Sequence, residues 1–358
     1  MIRILIPLYT TILVLFLSSC VDNSIAPLNT PSIYDSTQYS HISSSTIRMR
    51  ADVNTLLDTI QSARINGRAP DSLTLFELLK PFSTLGTSTF QNTSIGFIQE
   101  FSKTNNGIYN PRLSIAENKE GGVFAGRVFD ENGLEYQEII EKLCFGNLFY
   151  HMASRLSLHD STTHLFIALF GAHPSFPNSD ITQSNPDVFS AAYAARRDKN
   201  DGNGFYTNAK KELIRLQAAI KAGTNYKEDA LSARKQFFTI WEKSLMASAI
   251  SYCYAAHAKF ILTNPSDEDL ASGLHAINES IGFVLAYKGV SEKLISDTEL
   301  DAILSLLHSM RPSLFITDAY NTTPDILKVI GRIQMVYGFS SQQLEDFKIN
   351  WVTVQNRK

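Results

Sequence analysis

Apolar residues recur three and four apart along most of the chain, the spacing of one face of a helix. Met49, Val53, Leu56, Leu57 and Ile60 form such a face, and Gly67 stops it. Asp71 caps a helix carrying Leu75, Leu78 and Leu79, and a shorter one covers Thr93 to Phe101. The stretch from Asn105 to about Asn132 is rich in glycine and asparagine and reads as a long irregular excursion. Glu135 to Leu156 is a buried helix, and Asp160 caps Ser161 to Phe170 before Pro174 and Pro177 intervene. In the second half a helix starts at Ser184-Asn185-Pro186 and ends near Arg197. Others cover Thr207 to Ala222, stopped by Gly223, and Glu228 to Leu262. Ser266 with Asp269 is a capping-box-like start, and Ser296 with Glu299 is a full capping box. Thr323-Pro324 opens a further helix by the cap-then-proline rule, and Gln342 to Val354 closes the chain. No stretch alternates convincingly with the period of a strand. The pattern predicts an all-α, multi-helix bundle.

A faint repeat runs through this pattern. Glu141-Lys142 begins one aromatic-rich helical run and Glu242-Lys243 another. Each is followed by a helix in which six residues separate a histidine from a glycine, His164 to Gly171 and His275 to Gly282. The chain could therefore hold two related half-bundles.

The amino end departs from the helical style. Arg3 precedes a nearly unbroken apolar run, Ile4 to Leu17, which ends in Leu17-Ser18-Ser19-Cys20. The run has the length of a signal-peptide core and is too short to span a bilayer comfortably. Its end resembles the lipobox of bacterial lipoproteins, in which small residues let a peptidase cut before a diacylated cysteine. Residues 1–19 are therefore expected to be a signal peptide and Cys20 the lipidated residue. Residues 20–45, poor in apolar groups and rich in Ser, Thr, Asn and Pro, are expected to be a flexible tether, and 46–358 the folded body. The protein is expected in the bacterial cell envelope, at the outer membrane, anchored by lipid on Cys20.

Composition narrows the partners. Formal net charge is -3, with acids and bases interspersed. No basic stripe exists, which argues against nucleic acid. Besides Cys20 the cysteines are Cys144 and Cys253, both in apolar helical stretches. Inert buried thiols are expected, with a disulfide as the alternative in an exported protein.

Gly273-Leu274-His275-Ala276-Ile277-Asn278-Glu279 resembles the Gly-x-His-x-x-Glu motif of the imelysin family, displaced by one residue because Asn278 stands where the glutamate would fall. Ser280-Ile281-Gly282-Phe283, Asn132-Gly133-Leu134-Glu135-Tyr136 with Glu141-Lys142, and Trp241-Glu242-Lys243 are similar to a related group of bacterial envelope lipoproteins. The resemblance implies two related helical bundles with a pocket between them, and an association with iron uptake or, less so, peptidase activity. In that group the helix around His164 carries an acidic pair. Here Ile167 and Ala168 stand in its place, and Ala172 follows Gly171.

His275 and Glu279, four apart on a helix, share one face, and imidazole with carboxylate suits zinc or iron. His164 is a third candidate ligand, with His151, His159, Asp160 and His173 in reserve. The alternative is a buried His–Glu pair that specifies packing, leaving an interaction lipoprotein with a degenerate site. No His-Glu-x-x-His pattern supports a metalloprotease. Asp198 to Gly204 is reminiscent of a calcium loop but lacks its terminal bidentate acid, so a solvated turn is expected.

Overall fold

A computed structural model describes residues 25–66, 68–104, 107–180 and 186–357. The expected signal peptide, Cys20 and the start of the tether lie outside them. Among the described residues, eleven helices of eight or more residues build the body: α1 (Ser44–Asn66), α2 (Ser72–Ser83), α3 (Ser88–Lys103), α4 (Tyr136–Leu143), α5 (Thr162–Phe170), α6 (Phe189–Arg196), α7 (Phe205–Ala222), α8 (Lys227–Phe260), α9 (Asp267–Leu285), α10 (Asp297–Leu306) and α11 (Ala319–Tyr337). The all-α bundle read from periodicity is the architecture found.

α8 is the axis. From Ser244 to Ile250 every residue is buried, so this helix has no solvent face there. A helix buried all round belongs at the centre of a bundle. Ser244, Ala247, Ser248 and Ala249 keep it slim, and α7, α9, α6 and α11 pack around it. Aromatic rings fill one end: Tyr150 packs edge-on against Phe238, Trp241 and Tyr287, and Phe170 edge-on against Phe237 and Trp241. Cys144 and Cys253 are free, buried thiols. Burial pushes both up, Cys253 to about 12, so neither is a reactive thiolate at neutral pH.

Several local expectations need correction. The helix from α4 onward passes through a π-helical segment, Cys144–Tyr150. The wider turn lets Gly146 meet the end of α9 and turns Asn147 Nδ2 toward the Leu285 and Ala286 carbonyls, 2.9 Å from each. The glycine-rich excursion contains a small antiparallel hairpin, β1 (Gly122–Phe124) with β2 (Arg127–Phe129), in register Val123 opposite Val128. Ala125 and Gly126 both have positive φ at its tip, as two-residue hairpin turns require. The reciprocal capping box belongs to Ser266 and Asp269. Ser296 caps its helix, but Glu299 is drawn away by Arg332. α11 begins at Ala319, a turn before Pro324. The carboxyl end is two short helices, Ser341–Phe347 and Trp351–Val354. Helix α6 begins at Phe189.

The tether also ends earlier than composition suggests. Tyr34, Tyr39 and Ser43 are buried against the body. Two tyrosines in a polar stretch bury enough apolar surface to hold it down, and averaged composition hides them.

Candidate functional site

α4 places its residues by spacing. Glu135 is the N-cap of α4, and Glu138 and Lys142 follow at i+3 and i+7, on one face. That face packs on α9, which presents His275 and Glu279 four apart. The hairpin brings Arg127 from one side, and α1 brings Arg64 from another.

His275 Nδ1 lies 2.9 Å from Glu135 Oε2 and 3.7 Å from Glu138 Oε1. Its Nε2 lies 3.6 Å from Glu279 Oε1. Arg127 Nη1 stands 2.7 Å from the same Nδ1. A protonated Nδ1 donates to Glu135; a bare one accepts from Arg127. Arg64 Nη2 donates to Glu135 at 2.7 Å and also to Glu138. Lys142 is wholly buried beneath, with Nζ 2.7 Å from Glu279 Oε2 and 3.3 Å from Glu138 Oε2, and it also pairs with Glu141.

The two deepest carboxyls are pushed in opposite directions. Burial would raise Glu138, but Lys142, His275 and Arg64 outweigh it and hold the group ionised. Burial raises Glu279 well above the ordinary carboxylate range; Lys142 opposes this, while Glu138 and Glu141 reinforce it. Burial acts first on Lys142 too, but Glu141, Glu279, Tyr193 and Glu138 keep it charged. Oppositely displaced carboxyls in one cleft are a feature of functional sites as well as of buried ion-pair networks.

The cluster opens into a cavity of about 350 Å³ between α1, α4, α6, α8 and α9. Its wall is polar: Asn54, Gln61, Gln137, Tyr193, Arg196 and Tyr252 face the acids and His275. Burial would lower Arg196, but the hydroxyls of Tyr193 and Tyr252, then Asp180, more than compensate. The guanidinium also lies over the Tyr193 ring, 4.6 Å from its centroid.

Glu135, Glu138 and His275 each offer a ligand atom within 4.8 Å of the others. Ligand atoms about 2.1 Å from one ion stand roughly 3.0–3.4 Å apart, so separations of 2.9 and 3.7 Å are close to that geometry. Two carboxylates and an imidazole suit zinc or iron. The residues therefore fit such an ion, provided Arg64, about a fifth exposed, swings from between the carboxylates into the cavity and Arg127, about a quarter exposed, releases Nδ1 and Glu135.

His275 and Glu279, expected from spacing, are in this site. His164 is not: its ring is buried under Tyr34, whose hydroxyl meets Nδ1, and its carbonyl accepts from Ser43. His159 contacts Thr162 and Ser161, and His173 contacts Ser175 and Asp187, so neither adds to the cluster. Glu138, Arg64 and Arg127 are not among the residues the sequence motifs mark; the spacing Glu135-x-x-Glu138-x-x-x-Lys142 carries the signal for the first. The repeat is not chemically symmetric. Lys142 is the buried member of its pair, whereas Glu242 is the buried member of the other. Glu242 accepts from the Leu294 and Ile295 amides and from Tyr337. Asp198 is likewise internal, accepting from Asn200 and Thr207 amides in a turn that starts α7.

No family model, curated protein or solved structure matches this chain. Among the described residues no helix is long and apolar enough to cross a membrane.

Proposed function

We propose that this chain is a lipid-anchored protein of the bacterial envelope whose helical body binds a divalent metal ion, zinc or iron, for uptake. Cys20, behind its apolar run and Ser18-Ser19, supplies the anchor. Glu135, Glu138 and His275 supply the ion's ligands, and Glu279 borders His275 Nε2. The observation that carries the reading is the convergence of three ligand atoms, two of whose residues, Glu138 and His275, line an open polar cavity. The bound ion would supply a positive, Lewis-acidic centre. The chain's own residues do the rest. Glu279, 3.6 Å from Nε2, stands at the other ring nitrogen, where carboxylates orient ligating histidines. Lys142 neutralises the carboxylates from below, and Arg196 with the tyrosines keeps the mouth hydrated. The motif resemblance to imelysin-like proteins points the same way.

A second reading rests on Arg64, which already bridges Glu135 and Glu138. In it the cluster is a buried ion-pair network that specifies packing. Metal titration of the protein purified in detergent decides between them. Binding of one zinc or iron per chain, weakened at least tenfold in both Glu135→Gln and His275→Ala, supports the metal site. No binding, with both variants only less stable, selects the packing network.

A further inference from the structure

The segment after the expected lipid site is laid against a particular face of the body. The Tyr34 ring packs edge-on between His164 and Phe176. Gln217 clamps the Asp35 backbone, accepting from its amide and donating to its carbonyl, both at 2.9 Å. Lys221 pairs with the Asp35 carboxylate. Upstream, the Tyr226 hydroxyl donates to the Ala26 carbonyl at 3.0 Å. The segment thus follows α7 toward its carboxyl end and is last pinned where α7 turns into α8.

Cys20 stands six residues before Ala26, so a group on Cys20 is held within about 20 Å of that point. A body of this length has a radius of gyration of about 20 Å, hence a diameter of roughly 50 Å. The leash is shorter than the body it holds, so the body cannot present every face to the surface that holds the lipid. The face beside the pin is open and apolar. Gly223, Thr224 and Lys227, flanking Tyr226, line a groove of about 510 Å³ with Ile220, Leu231 and one acid, Asp160. Leu231 is 41% exposed, and Ile25, next to Ala26, is 58% exposed.

We propose that this face is the membrane-seated surface of the protein. Ile25, Ile220 and Leu231 enter the boundary between headgroups and acyl chains, and Lys227 meets headgroup phosphates at the rim. An apolar patch rimmed by lysine is the chemistry of interfacial seating, and the short leash supplies the proximity. The inference rests on lipid at Cys20.

Thiol labelling tests it on the full lipidated protein in vesicles containing brominated lipid, because Cys144 and Cys253 are buried and do not compete. An environment-sensitive fluorophore is placed at Leu231→Cys, with controls at Leu73→Cys and Tyr320→Cys, both exposed. The expected result is quenching at position 231 at least threefold stronger than at either control. Equal quenching at all three positions of vesicle-bound protein overturns the seating surface while leaving the anchor intact. A mature chain without acyl mass, or one that fails to float with vesicles, overturns the lipid reading and the proposal with it.

Discussion

Replacing Lys142 with methionine keeps the length of the side chain and removes its charge. The ammonium lies at 0% exposure, against Glu138, Glu141 and Glu279. Its surroundings are otherwise apolar: the Phe145, Tyr193 and Phe283 ring centroids lie 5.2–5.7 Å away. Methionine fits that space, so packing loss is small and the effect is electrostatic. Breaking a buried pair from one side leaves an uncompensated charge and typically costs about 3–5 kcal/mol. Here the ionised Glu138, 4% exposed in its side chain, loses its buried counter-charge. Urea unfolding at pH 7.5 should therefore show Lys142→Met destabilised by about 3 kcal/mol or more. The second arm is Lys142→Met with Glu138→Gln, which removes the stranded carboxylate. The double variant should recover at least about 1.5 kcal/mol relative to additivity. A single-variant cost below about 1 kcal/mol, or strict additivity, refutes the claim that Lys142 neutralises the floor of the site.

Three further outcomes follow from the structure. Burial raises Asp130 and Asp187 to about 6. The folded state then holds protons that the unfolded chain has released, so stability is fully present below about pH 4 and falls as pH rises through 6. The displacement from 3.8 corresponds to about 3 kcal/mol per group in full, of which about 2 kcal/mol falls between pH 4.5 and 7.5; denaturation at those two values should show it, with the difference reduced in Asp187→Asn. Gly146→Ala should cost at least about 2 kcal/mol in thermal or urea unfolding, because a Cβ there would lie 2.1 Å from the Ala286 carbonyl oxygen. Tyr34→Ala should release the amino-terminal segment, seen as at least tenfold faster protease cleavage before Ser44 with the body intact; unchanged cleavage would mean that Gln217 and Lys221 hold it unaided.

Helical periodicity, caps and glycine stops were legible in the sequence because each is a local property. Met49, Val53, Leu56 and Ile60 are buried as their spacing requires, and Ser266, Asp71 and Ser296 cap the helices they precede. Half of the candidate site was legible for the same reason: His275 and Glu279 share a face by backbone geometry alone. What they face is a long-range matter. Glu135 comes from 140 residues earlier and Arg127 from 148, and nothing in local spacing says that α4, rather than the helix of His164, packs on α9. His164 obeys the same local rules as His275, yet its partner is Tyr34, 130 residues away. Averaged composition likewise could not tell a loose tether from a segment pinned by two tyrosines and a glutamine. Local hydrogen bonding and hydrophobic period choose the helices; which buried charges meet depends on how those helices pack, and only the tertiary structure decides that.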